Sequence, residues 1–313
     1  MSLLIALSWD PAPWVERFRR LLPDHRIVVQ GEAFDRSEVR YVATWGPQAG
    51  TLDNLPNLEL LFSLGAGVDH LMRYPALPDV PIVRIVQEDL TTRMSEYVVM
   101  HCLMYLRDQR RYDAQQRDKV WEDNRSQPAA RDVRVGVLGT GVLGQDAARK
   151  LAVMGFDVAA WGRTPKAIEG IRVYAGSAEL NAFLARTDIL VCLLPLTPET
   201  RGLLNAPLFR TLAFNGPLGG PILINCARGG LQVEAHILAA LDDGTLKAAT
   251  LDVFETEPLP QNSPLWTHPK VTVSPHNAAI SDPDVTSRTI AAQIRRHEAG
   301  EPLVGVVDRE RGY

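Results

Sequence analysis

Three polar side chains of complementary chemistry lie in the second half of the chain, each shortly after an apolar run. Arg228 follows ILIN, Glu257 follows AATLDV, and His276 follows VTV. A guanidinium binds anions, an imidazole transfers protons near neutral pH, and a carboxylate bonded to an imidazole favours its protonated form. Each residue alone has an ordinary explanation as a surface cation, a loop acid or a structural histidine. Their shared position at the ends of predicted strands favours one catalytic site.

A second chemical signal is the segment VRVGVLGTGVLG, in which Gly139, Gly141 and Gly144 have the spacing GxGxxG. It follows a predicted strand and opens a predicted helix, which is the context that a dinucleotide fingerprint requires. The three glycines permit a tight turn, close approach of the backbone to a pyrophosphate, and close helix packing. Free N–H groups at the helix start then bind the phosphates. We predict a dinucleotide bound by these glycines, Val142 and Leu143.

The segment AAWGRTPK, at the end of the next predicted strand, indicates which dinucleotide is bound. NAD sites usually place an acid here to bind the ribose 2′-hydroxyl, whereas this chain has Gly162, then Arg163 and Thr164. An arginine can bond a 2′-phosphate with both arms of its fork, and an acid would repel it. A solvated loop without a ligand is the alternative. The pattern predicts preference for NADP(H), with NAD(H) as the second choice.

The elements that must position these residues form two groups of alternating strands and helices, which indicates parallel α/β sheets. Strands of the first group, which ends near Glu88, are SLLIALS, RIVVQ, VRYVATW, LELLFSLG and VPIVRIV. Strands of the second group, which begins at Asp132, are VRVGVLG, DVAAW, DILVCLLP, PILINCA, AATLDV and VTVSP. Apolar periodicity between the groups predicts one helix over about 91–123. A C-terminal amphipathic helix, stopped at Gly300, is predicted to return to the first group.

Bulk properties exclude several classes of function. A length of 313 residues suits two domains, and a formal charge of −4 gives no net basic field for nucleic-acid binding. Cys102, Cys192 and Cys226 lack paired or metal-ligand spacing, so we expect buried reduced thiols and no metal. There is neither a basic apolar leader nor an apolar run of about 18 residues. We expect a soluble, cytoplasmic protein whose partner is a small molecule rather than a membrane.

The chain resembles the D-isomer-specific 2-hydroxyacid dehydrogenases, and most closely their bacterial glyoxylate/hydroxypyruvate reductase branch. The motifs that carry the resemblance are LGAGVDHL (64–71), VGVLGTGVLG (135–144), LLPLTPETRGLLN (193–205), NCARGG (225–230), LDVFETEPLP (251–260), SPHNAA (274–279) and the closing VVDRERGY. The resemblance implies a Rossmann-type cofactor domain (93–281) inserted into a flavodoxin-like substrate domain (1–92 and 282–313). It also implies a homodimer formed through the cofactor domains.

The resemblance further implies reduction of a small 2-keto acid, glyoxylate or hydroxypyruvate, by hydride transfer. The family's catalytic residues fall on His276 as general acid, Glu257 as its partner, and Arg228 as the ligand of the substrate carboxylate and carbonyl. Implied substrate contacts are Trp45, Leu64, Gly65, Ala66, Gly67 and Arg228. Further implied cofactor contacts are Leu194, Pro195, Cys226, Ala227, Arg228, Asp252 and His276. Taken by themselves, the glycine loop at 64–67 could be a tight turn and Trp45 a core residue.

Two other functions stay open at this point. One is reduction of a bulkier 2-keto acid such as phenylpyruvate, which depends on pocket residues around Trp45 and Met94. The other is a dinucleotide-sensing scaffold without turnover, like the transcriptional corepressors that resemble this family, which has no need of an intact Arg–Glu–His set. Formate oxidation is disfavoured, because the family's formate enzymes usually lack the acid at the Glu257 position.

Overall fold

The computed structural model describes residues 1–312 and divides them into two compact units. Unit 1 comprises Met1–Leu90 and the chain from Ile280 onward, and unit 2 comprises Thr91–Ala279. The predicted boundaries, after residues 92 and 281, lie two residues further along the chain at each crossover. Tyr313, the last residue of the predicted terminal motif, lies outside the described residues.

Unit 1 is built on a parallel sheet of five strands. The strands are β1 (Ser2–Leu7), β2 (Arg26–Val29), β3 (Val39–Trp45), β4 (Leu60–Ser63) and β5 (Ile82–Val83). The helices are α1 (Ala12–Leu21), α2 (Asp69–Met72) and α9 (Pro283–Glu298), and α3 (Glu88–Leu106) begins in this unit and continues into unit 2. The strand order β2-β1-β3-β4-β5 is the flavodoxin-like order, as predicted.

Both faces of this sheet are covered, which explains why its strands are continuous apolar runs rather than alternating ones. Leu3 and Ile5 of β1 pack into a core with Phe18 of α1 and Ile290 of α9. The intervening residues, such as Leu4, pack into a second core on the opposite face. The C-terminal helix therefore returns to the first group of elements, as the sequence predicts.

Unit 2 is built on a parallel sheet of seven strands. They are β6 (Arg134–Leu138), β7 (Asp157–Gly162), β8 (Arg172–Ala175), β9 (Ile189–Cys192), β10 (Ile222–Asn225), β11 (Ala248–Leu251) and β12 (Val271–Val273). Its helices, besides α3, are α4 (Gln109–Asp118), α5 (Val142–Val153), α6 (Gly176–Ala185), α7 (Ala206–Phe209) and α8 (Glu234–Asp242). The run β8-β7-β6-β9-β10-β11 has the Rossmann order, and β12 extends it. This confirms the predicted fold class, although the short edge strand β8 was not predicted.

The prediction of one helix over 91–123 is wrong. The chain forms α3 and α4, which are separated at Asp108, where φ is +54°. Aspartate tolerates this left-handed conformation because its short polar side chain can bond locally. Lys119, with φ of +56°, then ends α4 before the predicted end at residue 123. The charged sequence of α4 buries none of its side chains, so no packing face extends it.

Within residues 1–312, no helix combines the length and apolar character that crossing a membrane requires. Cys102, Cys192 and Cys226 are buried, as predicted. Burial raises the pKa of each of these thiols, so they stay protonated and chemically inert.

Candidate active site

The glycine loop after β6 has the shape that a dinucleotide requires. Gly139 has φ of +120°, and a Cβ there would lie 2.7 Å from the carbonyl oxygen of Leu193. A Cβ on Gly144 would collide with the carbonyl oxygen of Gly139, so any side chain there would push α5 away from the turn. A Cβ on Gly141, the residue that caps α5, would meet nothing within 4 Å. The backbone of the loop is therefore closely packed at Gly139 and Gly144, while the space beside Gly141 at the helix N-terminus is open. This arrangement fits a bound pyrophosphate.

The other predicted cofactor contacts of unit 2 lie at the same edge of the sheet. Leu194 follows β9, and Cys226 and Ala227 follow β10; all three are buried. Pro195 is partly exposed beside Leu194. Since β9 pairs with β6 and β10 pairs with β9, these residues line the edge from which the glycine loop rises.

The predicted 2′-phosphate residues follow the last residue of β7, Gly162. Arg163 and Thr164 are both exposed. Lys166, three positions beyond Arg163, donates from Nζ to the carbonyl oxygen of Thr140 in the glycine loop at 3.1 Å. This tether was missed in the sequence, although a second basic residue in the same loop was a signal for it.

The structure brings the three predicted catalytic residues together. Nδ1 of His276 lies 2.7 Å from Oε2 of Glu257, and Oε1 of Glu257 accepts the N–H of Phe254 at 2.9 Å. The two side chains are 38% and 34% exposed, so they face a partly solvated surface rather than the core. Arg228 donates from Nη1 to the carbonyl oxygen of Ala227 at 2.7 Å, and its charge acts on Glu257.

The electrostatics of this set keep Glu257 ionised. Burial raises the pKa of the Glu257 carboxyl, but hydrogen bonds from His276 and the Phe254 N–H, with the charges of His276 and Arg228, leave it below its usual 4.5. The negative charge is therefore present at neutral pH and is lost only as pH falls through that lowered pKa.

The backbone of His276 is held in an unusual conformation by Asp252. His276 has φ of +52°, a left-handed conformation that costs about 1–3 kcal/mol in a residue other than glycine. Its N–H donates to the carbonyl oxygen of Asp252 at 2.8 Å. The Asp252 carboxylate accepts the next two N–H groups, those of Asn277 and Ala278, each at 3.0 Å. Asp252 thus fixes the turn that presents the imidazole.

Two hydroxyl groups extend this anchor into α3. Ser274 donates to Oδ1 of Asp252 at 2.6 Å, and the Tyr97 hydroxyl lies 2.6 Å from Ser274 Oγ. Since Ser274 gives its only proton to Asp252, Tyr97 must donate to Ser274. Burial raises the pKa of Tyr97, which keeps it a donor. Neither residue was predicted from the sequence, because a serine before Pro275 and a tyrosine on a helix give no sign of a row of linked hydrogen bonds.

In unit 1 the predicted substrate residues meet at the carboxyl end of the sheet. A Cβ on Gly65 would collide with the Trp45 ring, so the indole packs directly on the loop backbone. Leu64 is buried, whereas Ala66 and Gly67 are partly exposed, and Ser63 Oγ donates to the Gly67 carbonyl oxygen at 2.8 Å. Trp45 is thus half-buried, packing both on the loop backbone and against a core of unit 1.

We predict that Asp252→Asn loosens the turn that carries His276. An amide keeps one acceptor oxygen but turns a donor NH₂ toward the N–H groups or the Ser274 hydroxyl. Hydrogen exchange over residues 274–279, followed by mass spectrometry, should become about 10-fold faster or more, as expected for unsatisfied buried donors. Asp242→Asn, an exposed aspartate bonded to His268, is the matched control. Unchanged exchange in Asp252→Asn would show that the carboxylate does not hold the turn.

Comparison with known proteins places this arrangement in a family. Residues 99–278 match the profile described as D-isomer specific 2-hydroxyacid dehydrogenase, NAD binding domain. The chain is 41% identical over 312 residues to glyoxylate/hydroxypyruvate reductase A of Yersinia enterocolitica, with 97% of each chain covered.

Solved structures agree with the sequence matches. An NADPH-dependent glyoxylate/hydroxypyruvate reductase from Sinorhizobium meliloti, in complex with NADP and sulfate, is 48% identical with a TM-score of 0.94, covering 100% of this chain and 99% of the other. A probable 2-hydroxyacid dehydrogenase from Rhizobium etli, in complex with NADP, HEPES and L(+)-tartaric acid, is 46% identical with the same TM-score and coverage. This chain belongs to the D-isomer-specific 2-hydroxyacid dehydrogenase family.

Proposed function

We propose that this protein is an NADPH-preferring reductase of small 2-keto acids, with glyoxylate and hydroxypyruvate as its substrates. The observation that carries the proposal is the Glu257–His276 pair, 2.7 Å apart, with the charge of Arg228 acting on it. Glu257 follows β11 and His276 follows β12, which are neighbouring strands. Both strands belong to the sheet in which β6 leads into the dinucleotide loop. Relatives that cover nearly the whole chain carry the same activity in their names.

The cofactor would be held at the glycine loop by Gly139, Gly141 and Gly144, with the N–H groups of Val142 and Leu143 directed at its phosphates. Arg163 and Thr164 would bind the 2′-phosphate, and the residues after β9 and β10 would line the nicotinamide end. When bound, the reduced nicotinamide supplies the hydride for the substrate carbonyl carbon.

His276 supplies the proton that completes the reduction. Because Nδ1 is bonded to Glu257, the proton available for transfer is on Nε2. The imidazolium donates it to the carbonyl oxygen, so the carbonyl group gains one hydride and one proton and becomes an alcohol. The ketone of hydroxypyruvate gives a secondary alcohol, and the aldehyde of glyoxylate gives a primary one. Glu257 stays ionised and stabilises the imidazolium that is consumed in each turnover. In the reverse direction the neutral imidazole accepts the alcohol proton.

Arg228 binds the substrate as an anion. Its planar guanidinium suits both the carboxylate and the adjacent carbonyl oxygen, which accumulates negative charge during reduction. Among the described residues, Ala66 and Gly67 donate no backbone N–H within the protein, so their N–H groups are available to a carboxylate. Leu64, Gly65 and Trp45 lie at this same loop of unit 1.

Asp252 acts through His276. Its carboxylate is buried and bonded to Ser274, Asn277 and Ala278. The proposal therefore gives Asp252 a positioning role, in addition to any contact that its backbone makes with the nicotinamide end.

The same proposal extends to the roles of the two units and to the assembly of the protein. We assign substrate binding to unit 1 and cofactor binding to unit 2. A homodimer formed through unit 2 is supported by exposed apolar side chains on and after α3, namely Met100, Val120 and the fully exposed Trp121. A cytoplasmic location is supported by three buried thiols without disulfide partners, which suit a reducing compartment.

We predict that NADPH is consumed with glyoxylate and hydroxypyruvate, and more slowly with phenylpyruvate. His276→Ala should lower kcat by about 10²–10⁴-fold, because proton transfer to the alkoxide is lost. NADP⁺ affinity, measured by calorimetry, should change little, which separates chemistry from binding. His236→Ala, at another exposed histidine of unit 2, is the control. Dinucleotide binding without turnover of any 2-keto acid would instead favour a sensing scaffold.

We predict that Glu257→Gln slows reduction. The neutral amide can still accept the Nδ1 proton, but it removes the negative charge beside the group that donates the proton, so kcat for reduction should fall about 10-fold or more. The rate is measured at saturating NADPH, with Glu255→Gln as the control acid in the same loop. An unchanged kcat would rule out this role for Glu257.

A further inference from the structure

Two buried amide side chains meet beside the turn that carries Arg228. Asn225 ends β10, Gln232 follows the turn, and both residues are 0% exposed. Nδ2 of Asn225 donates to Oε1 of Gln232 at 2.8 Å and to the carbonyl oxygen of Arg228 at 3.1 Å. Oδ1 of Asn225 accepts the N–H of Ala227 at 3.2 Å. The Asn225 amide therefore uses both of its protons and its oxygen to hold the turn closed.

Gln232 joins this turn to the segment that leads to Glu257. Nε2 of Gln232 donates to the carbonyl oxygen of Val253 at 2.9 Å, and Val253 is buried. Val253 follows Asp252, whose N–H donates to the carbonyl oxygen of Asn225 at 3.0 Å. Since a buried polar group is costly to leave without a partner, these bonds hold the two segments against each other.

The two segments also touch through their backbones. A Cβ on Gly229, the residue after Arg228, would collide with the carbonyl oxygen of Phe254. The N–H of Phe254 donates to Oε1 of Glu257 at 2.9 Å. The turn that carries Arg228 therefore packs on the residue that bonds Glu257, so a shift of this turn would change where the guanidinium lies relative to the carboxylate.

We propose that Asn225 and Gln232 are positioning residues for the reduction. The pair holds the turn of Arg228 so that its guanidinium binds the substrate beside Glu257 and His276. Neither amide reaches the substrate itself, because both are fully buried. A displacement of about 1 Å in a group that orients the substrate can cost about 10²-fold in rate. This inference rests on the proposed function, in which Arg228 binds the substrate carboxylate.

Gln232→Met tests the pair, because methionine fills a similar volume without a polar end. The KM for glyoxylate should rise about 10-fold, while the affinity for NADP⁺, measured by calorimetry, should change less than about 2-fold. Thr187→Val is the matched control: Thr187 is equally buried, and its hydroxyl donates to the carbonyl oxygen of Phe183 at 2.8 Å before β9 begins. It should lower the midpoint of thermal unfolding and leave KM unchanged. Equal rises of KM in both variants would overturn the proposal.

A double-mutant cycle with Arg228→Gln separates positioning from general loss of stability. Because the pair acts through Arg228, Gln232→Met should lower kcat/KM about 10-fold in the wild type but less than about 2-fold in the Arg228→Gln background. The same fold-loss in both backgrounds would show that Gln232 does not act through Arg228, and would overturn the proposal.

Hydrogen exchange over residues 226–232 gives a readout that does not depend on turnover. It should become about 10-fold faster in Gln232→Met and stay unchanged in Thr187→Val, because only the first variant frees the turn. Unchanged exchange in Gln232→Met would overturn the role of the amide pair. A wild-type protein that reduces no 2-keto acid would instead contradict the proposed function, and exchange would still show whether the pair holds the turn.

Discussion

The site depends on one buried carboxylate. The Asp252 carboxylate accepts the Ser274 hydroxyl before a sharp turn and the N–H groups of Asn277 and Ala278 after it, and in this turn His276 has a left-handed conformation. In that conformation Nδ1 of His276 meets Glu257. The energy stored in the turn is offset by hydrogen bonds in a place from which water is excluded, where each unmade bond would be costly. The orientation of the imidazole is thus fixed before any ligand arrives.

The turn at the cofactor end of unit 2 is also held in one conformation, but no buried carboxylate holds it. Its glycines let backbone pack directly against backbone, and this close packing fixes the turn. Gly144 has no room for a Cβ beside the carbonyl oxygen of Gly139. The sheet joins the two ends, since the reactive side chains and the glycine loop all follow the carboxyl ends of parallel strands.

The sequence was sufficient for the fold, and it selected three polar side chains that the structure brings together, because both signals are local. The apolar runs, the GxGxxG spacing and the polar residues at strand ends predicted both sheets and the Arg228, Glu257 and His276 set. The break at Asp108 was missed because helical periodicity does not register a single left-handed residue. The hydrogen bonds that link Tyr97, Ser274 and Asp252 join residues up to 177 positions apart, so they leave no local pattern in the sequence.

The most direct test of the account is the protonation of His276, observed by ¹⁵N NMR of histidine-labelled protein and assigned with His276→Gln. We predict that Nδ1 carries a proton in both the neutral and the charged imidazole, and that its ¹H signal lies at low field because this proton is hydrogen-bonded to Glu257. Nε2 is then the nitrogen that gains and loses a proton. That low-field signal should disappear in Glu257→Ala. A neutral imidazole with its proton on Nε2 and a bare Nδ1 would contradict the Glu257–His276 pairing and the proton transfer derived from it.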